Sequence, residues 1–194
     1  MKYDDYALLE TQKLPENTGF YHPEKQPEIA HLDSPALDVF TDFKSKPPAY
    51  ISPQENVQST LEHMKKEGVK ALLVVNGEER IIGLVSARGV QGARLGMIAQ
   101  KHSVNLTDVT VYMAMMPAED LPTLNFKYLD SARVGHIVRL MHDKGVNYLL
   151  AVEEIADQQI VRGIFSASRI SRQLDELVLG DFSSNNLADM NRRI

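Results

Sequence analysis

Apolar positions recur at helical spacing in two stretches of the chain. Val57, Thr60, Leu61 and Met64 stand at i, i+3, i+4 and i+7, and so do Val134, Ile137, Val138 and Met141. That spacing predicts one buried face on each of two helices. Gly68 and Gly145 close them, glycine being the residue that tolerates the left-handed conformation at a helix end. Ser52-Pro53-Gln54-Glu55 reads as a capping box with proline in the first turn, and Asp130 or Ser131 reads as the cap of the second helix. After each helix comes a short apolar run, Ala71 to Val75 and Tyr148 to Val152. A polar turn follows, "NGEER" or "EEIADQQ", and then a second run, "IIGLVS" or "IVRGIFS". Such runs, apolar on both faces and bounded by turn residues, predict buried strands. Each ends in a further helix, one from Ala87, the other from Ala167 through Ile170, Leu174, Leu177 and Val178 to Gly180. A short extended piece leads into each unit, "PPAYIS" (Pro47 to Ser52) and "PTLNF" (Pro122 to Phe126).

The two stretches are copies of one another. Val57 falls on Val134, Leu61 on Val138, Met64 on Met141 and Gly68-Val69 on Gly145-Val146 without a gap. The next loop is three residues longer in the second copy, after which Gly83 meets Gly163 and Ser86 meets Ser166. The fold class that follows is α/β, a β-α-β-β-α unit built twice. Neither half covers its own sheet, so the two are expected to pack sheet to sheet with helices outside. The expected organisation is an irregular N-terminal extension over 1–35, repeat 1 over 36–105, repeat 2 over 106–180 and a tail over 181–194. Tyr3, Tyr6, Phe20 and Tyr21 suggest that part of the extension packs on the body or on a neighbouring subunit.

Composition narrows the function. The chain has 194 residues, a formal net charge of -5 and no cysteine. Disulfides, thiolate zinc sites and a cysteine nucleophile are thereby excluded. No apolar run approaches the roughly 20 residues that cross a bilayer, and the acidic start does not read as a secretion signal. The expectation is a cytoplasmic protein with no membrane partner. Scattered Lys and Arg on an acidic chain argue against nucleic acid. The six histidines show no metal-ligand spacing, and the chain holds no nucleophile elbow, P-loop or dinucleotide fingerprint. We expect no metal site and no catalytic activity.

The ordered set "DVFTDF" (Asp38 to Phe43), Ser-Pro-x-x-x-Val, helix-Gly-Val, paired strands and Gly-h-h-Ser (h, apolar), met largely twice over, resembles a pair of cystathionine-β-synthase (CBS) domains, a Bateman module. The resemblance covers roughly Ala36 to Leu179. It implies a regulatory protein, commonly a homodimer, that binds an adenosine-containing ligand such as AMP, ATP or S-adenosylmethionine in the clefts between repeats. It also implies that the hydroxyl of Gly-h-h-Ser/Thr-x-x-Asp lies near phosphate or ribose and that the Asp holds the ribose hydroxyls. Here both serines stand, at Ser86 and Ser166, but the Asp positions hold Gly89 and Arg169. A lost carboxylate removes charge-assisted hydrogen bonds of roughly 1.5–3 kcal/mol each, whereas arginine, donor-only, suits phosphate.

The ligand candidates are therefore Ser86, Ser166 and Arg169 for an anion, with Tyr50, Phe126, Lys70, Ala71, Asn147 and Tyr148 flanking the base. Each serine also reads as a simple helix cap. Arg162 and Arg172 are possible helpers of Arg169, as Arg88 and Arg94 are in the first copy, or they are solvated arginines. Gly89, Gly92, Gly96 and Ala93 leave a smooth helix face, suited to a partner helix or to a kink. Two functions stay open: sensing of a nucleotide ligand through a conformational or dimer change, on behalf of a regulated protein, or a ligand-free dimerisation or protein-interaction scaffold with decayed sites.

Overall fold

The computed structural model describes Thr18 and residues 27–174 except 157. Tyr3, Tyr6, Phe20, Tyr21, Leu177, Val178, Gly180 and the tail lie outside the described residues. Two four-stranded sheets form the body. The first contains β2 (Tyr50–Ile51), β3 (Ala71–Val75), β4 (Ile81–Ser86) and β5 (Met116–Pro117), in that order. The second runs β1 (Thr41–Asp42), β8 (Gln158–Ser166), β7 (Tyr148–Ile155) and β6 (Thr123–Asn125). In each, the leading strand pairs parallel with the next, which then pairs antiparallel in a hairpin. The β-α-β-β-α unit predicted twice is thus present twice.

The strand faces explain the continuous apolar runs. Leu72, Val74 and Val85 point to the first helix layer and join Val57, Met64 and Ile51 there. Leu149, Ala151 and Phe165 do the same in the second repeat, with Ile137 and Met141. The intervening Leu73, Leu84 and Leu150 meet between the sheets, with Leu121. A strand buried on both faces needs no polar alternation.

Helix α1 (Val57–Glu67) and helix α4 (Val134–Lys144) end at Gly68 and Gly145, at φ +65° and +63°. Their starts differ from expectation. Asn56 caps α1 through its side-chain oxygen, which accepts from the Ser59 amide at 2.8 Å. Ser52 to Glu55 stands ahead of the helix because the Pro53 and Glu55 carbonyls accept from the Tyr112 and Val111 amides, backbone pairing that a helical turn there would break. At α4 neither Asp130 nor Ser131 caps. The Val134 and Gly135 amides donate to the carbonyls of Ser34 and Leu32, at 2.9 and 2.8 Å, so an incoming segment satisfies the orphan donors. The helix expected from Ala87 is two pieces, a 3-10 turn Ala87–Val90 and then α2 (Gly92–His102), broken where Gly92 takes φ +63°. The turn expected at "EEIADQQ" is mostly strand, since β7 runs to Ile155 and β8 starts at Gln158.

Each sheet is completed by a strand from beyond the compact repeat. β1, ahead of the first unit, pairs with β8 of the second at Gly163 and Ile164. β5, following α3 (Val111–Ala114), pairs with β4 at Gly83 and Leu84. This accounts for the repeated glycine. A Cβ on Gly163 would collide with the Thr41 carbonyl and the Phe40 ring, and one on Gly83 with the Met116 carbonyl and the Met115 thioether. The crossing chain approaches too closely for any side chain.

Candidate functional site

A cleft of about 450 Å³ opens between the repeats. Three chain segments wall it. The linker from β1 to β2 supplies Thr41, Phe43, Lys46, Pro47, Pro48 and Ala49. The corner from α1 into β3 contributes Gly68 through Leu73. The corner from β8 into α5 (Ala167–Gln173) supplies Ser166, Ser168, Arg169 and Arg172. Tyr148, Leu84 and Ile164 form apolar floor between them. The cleft exists because the linker must cross from the second sheet, where β1 is seated, to the first, where β2 begins.

Of the sequence candidates, Lys70, Ala71, Tyr148, Ser166 and Arg169 come together here. The Tyr148 hydroxyl donates to the Lys70 carbonyl at 3.2 Å, tying the second repeat to the first. Burial pushes that phenol's pKa up, opposed by the charge of Arg88, so it remains a donor. Arg169 is half-buried. Its Nη1 donates to Thr41 Oγ1 at 2.8 Å and its Nε to Gln173 Oε1 at 3.0 Å. Burial, and then the neighbouring Arg172, lowers its pKa from the usual arginine range. Ser166 does not cap α5; its hydroxyl lies 3.1 Å from that of Ser168.

The remaining candidates stand elsewhere. Ser86 caps the 3-10 turn, its oxygen accepting from the Gly89 amide at 3.2 Å, and Gly89 is buried. Tyr50 lines a second cavity of about 290 Å³ with Ser52, Glu55, Ser59 and His63. Phe126 packs on Phe40, ring centroids 5.8 Å apart. The Asn147 side chain is exposed, and its carbonyl accepts from the Ala167 amide at 2.9 Å, as the Lys70 carbonyl accepts from Ala87. Arg162 is no partner of Arg169. It grips Asp42 through two hydrogen bonds of 2.8 and 2.7 Å, reaches Glu153 at 3.2 Å and lies 4.5 Å over the Phe126 ring. Its hydrogen bonds hold the Asp42 carboxyl below the usual carboxylate range. Lys44 and then Arg162 do the same for Glu153.

Sequence reasoning missed the linker wall, Thr41, Phe43 and Lys46 to Ala49. "KSKPPA" reads as a polar connection, and only the strand exchange places it over the cleft. Among the described residues no group of three or more His, Asp or Glu could hold a metal ion, and no helix is long and apolar enough to cross a membrane.

Residues 38–96 match the CBS domain family. The fold is shared with a conserved CBS domain protein of unknown function from Thermoplasma acidophilum, 16% identical, covering 79% of this chain and 78% of that one at a TM-score of 0.53. An uncharacterized conserved protein from Pyrococcus horikoshii is 18% identical over 78% of this chain and 94% of its own, with a TM-score of 0.49. CBSX2, solved in complex with AMP, is 19% identical over 76% and 98%, with a TM-score of 0.48. No curated protein sequence matches the chain. The matched segment, residues 38–96, is thus similar to a CBS domain, and the second repeat builds the same β-α-β-β-α unit against it.

Proposed function

We propose that this protein is a cytoplasmic, non-catalytic regulatory module that senses a phosphate-bearing nucleotide in the cleft between its repeats. The observation that carries this reading is the lining: Lys46, Lys70, Arg169 and Arg172 stand around an apolar slot of Phe43, Ala71, Leu73, Leu84, Tyr148 and Ile164, with no Asp or Glu among the described residues that line it. In a chain of net charge -5, such a segregated set of cations favours an anion, and a flat apolar slot beside it suits a base. Because the walls come from both repeats, a bound ligand favours the arrangement in which they are close and shifts the population toward it. A second copy reads that shift through α2, where Met97 is exposed and Gly96 faces open space.

A thermal-shift panel of AMP, ADP, ATP, S-adenosylmethionine and guanosine nucleotides tests the reading. A ligand at 100 times its dissociation constant should stabilise the fold by about 2.7 kcal/mol, and Arg169→Ala should remove the shift. A flat panel favours the second reading, a ligand-free dimerisation scaffold, for which the self-satisfied Ser86–Gly89 corner speaks.

A further inference from the structure

Gln173 is a buried polar side chain at the end of α5, and its amide joins three segments. Its Oε1 accepts from Arg169 Nε at 3.0 Å, while its Nε2 donates to the Pro27 carbonyl at 2.9 Å and to the Asp38 carbonyl at 3.4 Å. The Gln173 backbone carbonyl also accepts from the Ala30 amide at 2.6 Å, beside a parallel bridge of Ala30 to Leu174. One residue thus faces the cleft arginine on one side and the segment of residues 27–35 on the other. A buried amide is costly to leave unsatisfied, so these contacts stand or fall together.

Thr41 and Gln173 hold Arg169 from different sides. Thr41, bonded to Nη1, lines the cleft, whereas Gln173 is not among the described residues that line it. Gln173 therefore backs the guanidinium from behind, and an anion arriving in the cleft competes with Thr41 instead. The segment beyond Gln173 is lightly held. Its Leu32 and Ser34 carbonyls accept from the Gly135 and Val134 amides at 2.8 and 2.9 Å, and Ala30 is buried, but Ile29 and Leu32 are exposed. A segment held by backbone hydrogen bonds with little apolar burial opens locally more readily than the core. None of residues 27–35 is among the described residues lining the cleft. Resting on the nucleotide reading above, we infer that Gln173 is a positioning residue for Arg169 and that residues 27–35 form a regulatory strap. The docked strap holds Arg169 ready for an anion, and an anion on Arg169 holds the strap in place. Linkage makes the two effects equal in size.

Hydrogen exchange of the full chain, read at the Ala30, Val134 and Gly135 amides against the amides of α2, tests this with AMP as the probe. Saturating AMP should slow exchange at Ala30 several-fold relative to α2. Without ligand, Arg169→Ala should speed exchange at Ala30 several-fold. Gln173→Met, similar in length but without the amide, should weaken AMP several-fold and uncouple what binding remains from the strap. Gly135→Ala keeps the test open if position 173 does not tolerate methionine. Its Cβ would stand 3.3 Å from the Leu32 carbonyl, while alanine favours the α4 helix, so it should loosen the strap and weaken AMP from outside the cleft. AMP binding with exchange at Ala30 unchanged, or with natural affinity in both Gln173→Met and Gly135→Ala, overturns the strap and leaves nucleotide sensing intact. If AMP does not bind, the ligand-free arm decides. Exchange at Ala30 unmoved by Arg169→Ala then overturns the relay as well, whereas faster exchange there upholds the relay and confines the failure to the nucleotide.

Discussion

The Gly83 corner and the Gly163 corner are the same backbone device used to different ends. Both glycines admit a crossing strand, β5 in one case and β1 in the other, and both following alanines donate their amides to the start of the neighbouring strand. After the serine the two diverge. In the first repeat Ser86 closes on the amide of a buried Gly89, three residues on. In the second the matching position is Arg169, which reaches across to Thr41 in the wall of the cleft. The crossing strands diverge too: Asp42 is gripped by Arg162, whereas the matching register pairs Pro117 with Gly83 next to Ile82. A duplicated backbone thus needs its glycine in both copies, and each copy's side chains are left to carry a different task.

The largest break in that comparison should come from the glycines. Gly163→Ala drives a Cβ into the Thr41 carbonyl and the ring of fully buried Phe40, and should cost about 3 kcal/mol by overpacking. Gly83→Ala meets a carbonyl and a flexible thioether and should cost about 1–2 kcal/mol. Denaturant melts decide; a harmless Gly163→Ala would falsify the account of the repeated glycine.

Next is the clamp on β1. Asp42→Asn keeps the shape but removes the charge facing Arg162, whose side chain is 16% exposed, and should cost about 1–2 kcal/mol. The first repeat has no counterpart, so a double-mutant cycle with Arg162→Met isolates the pair. The pH dependence follows with its sign. Asp42 and Glu153 are both held below their ordinary range, so their contribution is present above about pH 4 and lost as the solution is acidified through the folded-state values. Acid titration of stability should therefore be steeper for the natural chain than for Asp42→Asn; identical slopes would remove the clamp from the account.

Smaller still are the serines. Ser86→Ala loses a cap and should cost about 0.5–1 kcal/mol without altering ligand affinity. Ser166→Ala, which breaks no cap, should leave stability within about 0.5 kcal/mol yet weaken binding in the cleft. Parallel melts and titrations read both, and a reversal of the pattern would assign the site to the other corner. Tyr148→Phe should cost about 0.5–1 kcal/mol by freeing the Lys70 carbonyl, a tether that Ala71 in the matching position cannot make.

Much of this was readable in the chain. Periods of 3.6 and 2, with glycine at positive φ after Met64 and Met141, suffice for two β-α-β-β-α units, because local backbone preference and side-chain spacing are properties of contiguous residues. The Gly-h-h-Ser corners and the missing aspartates are legible for the same reason. The helix starts were not legible, since Ser34 and Leu32, or Val109 to Tyr112, satisfy them from a distance in sequence. Nor were the site's walls. Arg162 and Arg169 look alike on paper, and what separates them is that β1 brings Asp42 to one and Thr41 to the other. The sequence by itself determined the repeated unit and the residue types at its corners. Tertiary structure decided which corner opens on a cleft and which side chains line it, because those depend on strand exchange between segments more than a hundred residues apart.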